Sequence, residues 1–307
     1  MPTELSIVTG AYGYTGKYIT RRLLAAGKTV VTLTGHPNRP NVFGDAVRAI
    51  PFHFDDPAAL VESLRGATTV YNTYWVRFDR GDATHARSVE NTLTLIRAAR
   101  EAGVPRFVHV SITNAASSSL LPYFRGKGML EEALIASGMS YAILRPTVIF
   151  GREDILINNI AWLLRRSPLF AIPGDGSYRL QPIYVEDVAD LVVAAGQRDA
   201  NETIDAVGPD IFTFDRLVRL VAETVHSKAV IFHAPPALTL LAGGLIGAAV
   251  SDVVLTSDEV KGLMTSLLVS DQPPTGRTHL ADWLAANAAT VGSRYASELK
   301  RHYDRTT

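Results

Sequence analysis

Three glycines set three apart, Gly10, Gly13 and Gly16, constrain this chain more than any other feature. They lie in Thr9-Gly10-Ala11-Tyr12-Gly13-Tyr14-Thr15-Gly16, after the apolar run Leu5–Thr9 and before a helical pattern over Thr15–Ala26. A strand that turns on glycine into a helix presents backbone N–H groups at the helix N-terminus, with no side chain to obstruct a pyrophosphate. The spacing G-x-x-G-x-x-G differs from the G-x-G-x-x-G of two-domain dehydrogenases, but the physics is shared. The loop therefore predicts a dinucleotide contacted by Gly10, Tyr12, Gly13, Tyr14, Thr15 and Gly16.

The surrounding pattern agrees. Further runs of strand length, β-branched or aromatic, occupy Thr29–Thr34, Thr69–Asn72, Phe107–Ser111 and Tyr141–Leu144. Between them Ala58–Leu64, Ala86–Ala102 and Gly126–Ser137 show helical spacing, and Gly27, Gly66, Gly103 and Gly138 each follow a helix where a left-handed cap belongs. This alternation predicts an α/β fold, a doubly wound parallel sheet of the Rossmann type. It fades after Gly151, where a loop–helix section (Ile155–Arg166) and a turn (Ile172–Gly176) follow. Ile183–Ala195 and Glu202–Val207 read as a return to the sheet, and Phe214–Val225 as an amphipathic helix. The expected division is a dinucleotide domain over 1–150 and about 183–207, with a smaller, mostly helical substrate portion over 151–182 and 208–307.

The second strand selects the nucleotide. An NAD site places an Asp or Glu about 20 residues beyond the glycine loop, on the ribose hydroxyls. Here Gly35-His36-Pro37-Asn38-Arg39 follows the strand, and the first carboxylate is Asp45. His36 and Arg39 suit a 2′-phosphate, so NADP(H) is favoured over NAD(H). Asp55, after the third strand, is placed either to meet the adenine amine or to cap the helix near Pro57.

Composition excludes several classes. The 30 basic and 30 acidic residues cancel, leaving no electrostatic footprint for a nucleic acid. No cysteine is present, and the eight histidines show no metal-ligand spacing, so no metal is expected. The N-terminus runs at once into the first strand, which leaves no room for a signal core. Ala229–Ser251 lacks charged residues, but His233, Pro235 and Pro236 leave only Ala237–Ser251 as helix, shorter than the roughly 20 residues a span needs. The expectation is a cytoplasmic protein acting on a small molecule, with no nucleic acid and no integral span. A protein partner or homodimer stays open.

Tyr123 and Lys127 are four apart and share a helix face. A tyrosine near pKa 10 is a poor acid/base at neutral pH, and a nearby ammonium favours its phenolate. Ser111, ending the preceding strand, is placed to hydrogen-bond a substrate carbonyl. Asn72 and Thr73 end the fourth strand beside the nicotinamide side, and Pro146 and Thr147 end a later one beneath it. Arg165, Arg166 and Arg179 are candidates for an anionic substrate.

With Thr9–Gly16, Asp55, Asn91, Ser111, Tyr123-Phe124-Arg125-Gly126-Lys127, Leu144–Thr147 and Ile183–Ala189, residues 5–195 resemble the short-chain dehydrogenase/reductase superfamily in its extended and atypical branches. Asn158–Leu164, Pro173–Gly176 and Leu180–Ile183 look most like the subgroup holding the nucleotide-binding accessory subunit of respiratory complex I and its bacterial relatives. The resemblance implies Tyr123 as general acid/base, Lys127 also on the nicotinamide ribose, and Asn91 bridging to Lys127 through water. It implies an NADPH-dependent carbonyl oxidoreductase; the apolar helix Ala237–Ser251 and Trp75 fit a lipophilic substrate such as a quinone, and equally a core helix and a buried indole. A subunit or redox sensor holding NADPH without turnover, and a nucleotide-sugar epimerase or dehydratase, are the alternatives.

Overall fold

The computed structural model describes residues 4–38 and 41–303. Two compact units divide the chain: residues up to Pro146 with Val188–Asp205, and Thr147–Asp187 with the remainder from Ala206.

The first unit opens with β1 (Leu5–Thr9), α1 (Tyr14–Ala25), β2 (Thr29–Thr34), β3 (Val47–Pro51), α2 (Pro57–Leu64) and β4 (Ala67–Asn72). It continues through α3 (His85–Glu101), β5 (Arg106–Val110), α4 (Pro122–Ala136) and β6 (Ser140–Pro146). Beyond it come β7 (Ile149–Phe150), α5 (Leu156–Arg166), β8 (Leu169–Pro173), β9 (Arg179–Leu180) and β10 (Ile183–Tyr184). Then follow α6 (Val185–Gly196), β11 (Glu202–Ala206), β12 (Phe212–Thr213), α7 (Phe214–Thr224), β13 (Val230–Ala234) and α8 (Pro236–Val250). The last helices are α9 (Ser257–Met264), α10 (Leu280–Asn287) and α11 (Glu298–His302).

The large sheet has the order β11-β6-β5-β4-β1-β2-β3, with parallel pairing from β3 through β6. Strand order reverses between β1 and β4. That switch point is where an open α/β sheet leaves a crevice beyond the carboxyl ends of its strands. One sheet face, with Ile7, Val70, Phe107 and Ile143, packs on Leu60, Leu95 and Leu134 of α2, α3 and α4. Residues of the alternate register face the other way: Tyr71 lies against Gly196 of α6, where a Cβ would meet its hydroxyl at 2.2 Å. Arg22 of α1 pairs with Asp190 of α6 on that side at 2.5 Å. The helices therefore cover both faces, as the alternation predicts.

β11 joins the sheet edge beside β6, and Arg106 fixes the junction. Its guanidinium, 5% exposed, donates to the carbonyls of Ala195 and Ala200 and to Ser140 Oγ at 2.7–3.0 Å. A buried charge is tolerable only with its donors satisfied, and here two carbonyls and a hydroxyl do that work, with the Glu202 carboxylate 3.8 Å away.

The expected return of 183–195 to the large sheet is corrected. Ile183–Tyr184 pairs with β7 in a separate two-stranded sheet, α6 follows directly, and only β11 rejoins. The division thus falls at Pro146 and Val188, where 150 and 183 were expected. The second unit is less helical at its centre than its sequence suggests, because β8 and β13 form a parallel ribbon over a core of Ile157, Leu217 and Val221. No helix among the described residues is long and apolar enough to cross a membrane.

Candidate active site

The glycine loop is built as a phosphate cradle. Gly10 has φ +69°, a left-handed conformation that suits glycine. Its N–H donates to Leu33 O at 2.9 Å, and its carbonyl accepts from Gly13 N at 2.9 Å, closing the turn. A Cβ on Gly16 would lie 2.2 Å from Gly10 O, so that glycine is required by the fold itself. A Cβ on Gly13 would meet only Gly10 O, at 3.2 Å, so its bareness leaves open space outside the turn. Gly13 is the N-cap of α1 and no side chain caps it. The loop therefore fits a dinucleotide pyrophosphate. Tyr12, whose phenol burial pushes above its usual range, and Thr15 flank this turn. Tyr14 opens α1, its ring edge-on to Tyr18.

β1, β4 and β5 are tied beneath the loop by a buried polar chain. Thr9 Oγ1 donates to Asn72 Oδ1 at 2.9 Å and accepts from the backbone of Thr73 and Tyr74. Asn72 Nδ2 meets His109 Nδ1 at 3.0 Å. Because Asn72 Oδ1 is the acceptor in this chain, its amide nitrogen donates to His109 Nδ1, which leaves the imidazole proton on Nε2. Burial, then the charge of Lys127, pushes His109 well below the usual histidine range, so it is neutral. The Asn72 side chain is thus engaged inside the sheet, and its backbone ends β4. Thr73 does border the loop, its Oγ1 donating to Thr9 O at 2.5 Å and lying 3.6 Å from where a Gly10 Cβ would stand.

At the end of β5, Ser111 Oγ is buried with no partner, and Lys127 Nζ donates to the adjacent Val110 carbonyl at 2.7 Å. Lys127 is 2% exposed, and burial outweighs the attraction of Glu131 to bring its ammonium down to about 7. Glu131 is itself held by Arg145, whose Nε lies 3.0 Å from its Oε1. One turn before Lys127, the half-buried Tyr123 ring stands edge-on to Trp75 at 5.5 Å between centroids. Lys127 Nζ lies 4.5 Å from the same indole. Gly126 makes the approach workable, since a Cβ there would come within 2.8 Å of the indole. Ser111, Tyr123 and Lys127 are thus gathered where β5 meets α4, beside the carboxyl end of β4.

One further group at this place was not read from the sequence. His85, the first residue of α3, receives Asp79 at both its backbone N–H (2.7 Å) and its Nδ1 (2.8 Å). Its ring packs 5.7 Å from both Trp75 and Tyr123, and Nε2 is buried with no partner. The signal was an isolated histidine six residues after an aspartate, which no spacing rule marks.

Several expectations resolve differently. Asn91 does not turn toward Lys127: its Nδ2 donates to the Tyr74 hydroxyl at 2.8 Å, beside the Phe52–Phe54 pair. Asp56, not Asp55, caps α2, accepting from Ala59 N at 3.1 Å. Asp55 is exposed, its carboxylate 3.4 Å from Arg87. His36 follows β2 with its N–H on Thr34 Oγ1 at 3.1 Å, whereas Arg39 lies outside the described residues. Pro146 ends β6, its carbonyl accepting from Thr113 N at 3.0 Å, and the Thr147 hydroxyl is spent on the Gln181 carbonyl. Arg165 and Arg166 donate to backbone carbonyls of Ala288, Val291, Gly292 and Ser293. Among the described residues no cluster could hold a metal ion.

Comparison with known proteins places the chain in context. A family model described as "NAD dependent epimerase/dehydratase family" matches residues 6–207. NADH dehydrogenase [ubiquinone] 1 alpha subcomplex subunit 9 of Arabidopsis thaliana is 29% identical over 72% of this chain, which spans 58% of that relative's length. The mouse protein of the same name is 28% identical over 97% of the chain and 80% of its own length. A ceramide reductase of Caulobacter vibrioides is 26% identical over 91% of this chain and 94% of its own. Among solved structures, MoeE5 in complex with UDP-glucose and NAD superimposes with a TM-score of 0.68 at 21% identity, covering 92% of this chain and 97% of that one.

Proposed function

Since the chain belongs to the NAD dependent epimerase/dehydratase family, we propose that it is an NADPH-dependent carbonyl oxidoreductase whose acid/base is Tyr123. The observation that carries this reading is Lys127, one turn after Tyr123 on α4, whose Nζ reaches the Val110 carbonyl next to the buried, unpaired Ser111 hydroxyl and lies under the indole that also meets the Tyr123 ring. NADPH, when bound, supplies the hydride. Gly10, Gly13 and Gly16 hold its pyrophosphate, and His36 with Arg39 receives the 2′-phosphate.

Ser111 Oγ donates to the substrate carbonyl and holds it in line. Tyr123 gives the proton to the oxygen as it becomes an alkoxide. Lys127, while protonated, favours the resulting phenolate. His85, anchored by Asp79, adds a hydrogen-bonding group to the wall formed by Trp75 and Tyr123. That wall is otherwise aromatic, which suits a lipophilic carbonyl compound; the similarity to a ceramide reductase supports the same substrate class.

The test is a screen of quinones, aldehydes, long-chain ketones and nucleotide sugars for NADPH consumption, repeated with Tyr123→Phe. The variant should bind NADPH normally and lose roughly 10²–10⁴ in turnover. Activity kept within about twofold would remove Tyr123 from the chemistry.

A second reading draws on Trp75. Its indole covers Nζ of Lys127 and lies against Tyr123, an arrangement equally suited to a protein that holds NADPH without turnover. Tight NADPH binding with no consumption across the panel selects that reading.

A further inference from the structure

Packing alone asks only for a flat ring at position 85. The His85 ring lies tilted against Trp75 and edge-on to Tyr123, at 5.7 Å between centroids in both cases, and a phenyl group would fill the same space. The ring is nevertheless held as an imidazole. Asp79 Oδ1 accepts from the His85 backbone N–H at 2.7 Å and from Nδ1 at 2.8 Å, so one carboxylate oxygen fixes both the start of α3 and the ring. A carboxylate only accepts. Nδ1 therefore carries the proton, and Nε2 of the neutral ring is an acceptor.

That acceptor is buried and has no hydrogen-bond partner within the protein. Trp75 Nε1, which can only donate, is likewise buried and unpartnered. Buried polar atoms are almost always paired, and two orphans of opposite kind on neighbouring rings mark a wall that recognises a polar group. Whatever meets Nε2 has to give it a hydrogen bond. A ketone, ether or ester oxygen cannot do so. A hydroxyl or an amide N–H can, and the oxygen of either group can also accept from an indole.

The site of that donor on the substrate follows from Tyr123. Its phenol meets the reacting carbonyl in the reading given above, and its ring is in direct contact with His85. Two groups of one molecule that meet two touching rings stand on neighbouring carbons. We propose that His85 selects carbonyl compounds bearing a hydroxyl or amide N–H beside the reacting carbonyl, with Nε2 accepting from that donor and Asp79 fixing the tautomer. The selection rests on the carbonyl-reductase reading for its position and is separable from it by experiment.

The experiment compares matched long-chain ketones: the plain ketone, its α-hydroxy and α-amido derivatives, and the O-methyl and N-methyl forms of those two. NADPH consumption gives kcat/KM, and calorimetric titration of the NADPH-loaded protein gives Kd without requiring turnover. The wild type should favour the hydroxy and N–H members over the plain and methylated ones by about tenfold to a hundredfold, because the others leave Nε2 unpaired. His85→Phe should lower the hydroxy and N–H members to the level of the plain ketone and leave the plain ketone within about twofold. His85→Gln, whose side-chain carbonyl is again an acceptor, should regain part of the preference. Circular dichroism and NADPH affinity should be unchanged in both variants. Tyr123→Phe should lose turnover on every ketone and keep the preference in Kd. A wild-type preference below about twofold overturns the role of His85, as does one that survives His85→Phe or a failure of every ketone to bind. No NADPH consumption, together with a preference in Kd that His85→Phe abolishes, removes the reductase reading and supports the recognition.

Discussion

Nζ of Lys127 lies 4.5 Å from the centroid of the Trp75 indole while it donates to the Val110 carbonyl at 2.7 Å. The ring face and the carbonyl compensate only part of what the ammonium loses by leaving water, so its pKa falls from 10.5 to about 7. A base whose folded pKa lies below its unfolded one binds fewer protons when folded. Stability is therefore lowest below about pH 7 and rises between about 7 and about 10, in total by about 5 kcal/mol at most. Replacing Lys127 with methionine should raise Tm near pH 6.5, and the gain should shrink steadily toward pH 9. Thermal unfolding of both proteins across that range is the check; a gain independent of pH would mean that Lys127 does not titrate there.

Gly16 and Gly13 should behave differently on substitution. Gly16→Ala forces a Cβ into Gly10 O and should lower stability by about 1–3 kcal/mol as well as weaken dinucleotide binding. Gly13→Val, with only a 3.2 Å contact at its Cβ, should keep Tm within a few degrees and abolish binding. Calorimetric titration of NADPH paired with thermal melts separates the cases.

NADPH should bind at least about tenfold more tightly than NADH, the value of one charge-assisted hydrogen bond. His36→Ala and Arg39→Ala should each narrow that ratio and leave the NADH constant alone. A ratio untouched by both would place the 2′-phosphate elsewhere.

His85→Phe keeps the ring against Trp75 and Tyr123 and deletes both nitrogens. If Nε2 meets a polar group of the substrate, kcat/KM should drop about tenfold to a hundredfold, chiefly through KM. Asp79→Ala should lose less, because it frees the imidazole without removing it. A fall confined to kcat would point instead to proton transfer through His85.

Features set by neighbours in the chain were the legible ones. The strand–glycine–helix junction, the caps and the Tyr123–Lys127 pair each depend on a few consecutive residues, and their periodicity reports them directly. The doubly wound parallel sheet followed from the strand–helix alternation. β3 shows no clean apolar run, because Arg48 and Pro51 interrupt an edge strand. What sequence could not supply were partners far away in the chain. Asn72 reads as a strand-end polar residue until Thr9, 63 positions earlier, and His109, 37 positions later, consume its amide. Asn91 likewise faces Tyr74 because the β4–α3 loop brings that hydroxyl within reach. His85 was hidden for the same reason, its role arising from a loop that folds Asp79 back onto it.

Arg106 carries a consequence for how such a chain can be divided. Its buried guanidinium takes its acceptors from Ala195 and Ala200, and the edge strand beside β6 comes from Glu202–Ala206. A fragment ending at Pro146 would retain all three glycines and the Tyr123–Lys127 pair, yet it would leave that charge without its carbonyls and β6 as an open edge. The polypeptide passes from one unit to the other three times, at Pro146, Asp187 and Asp205. The nucleotide-holding half is consequently not a transferable cassette: recombination could exchange it only together with the segment that returns, so the two halves are bound to be inherited as one piece.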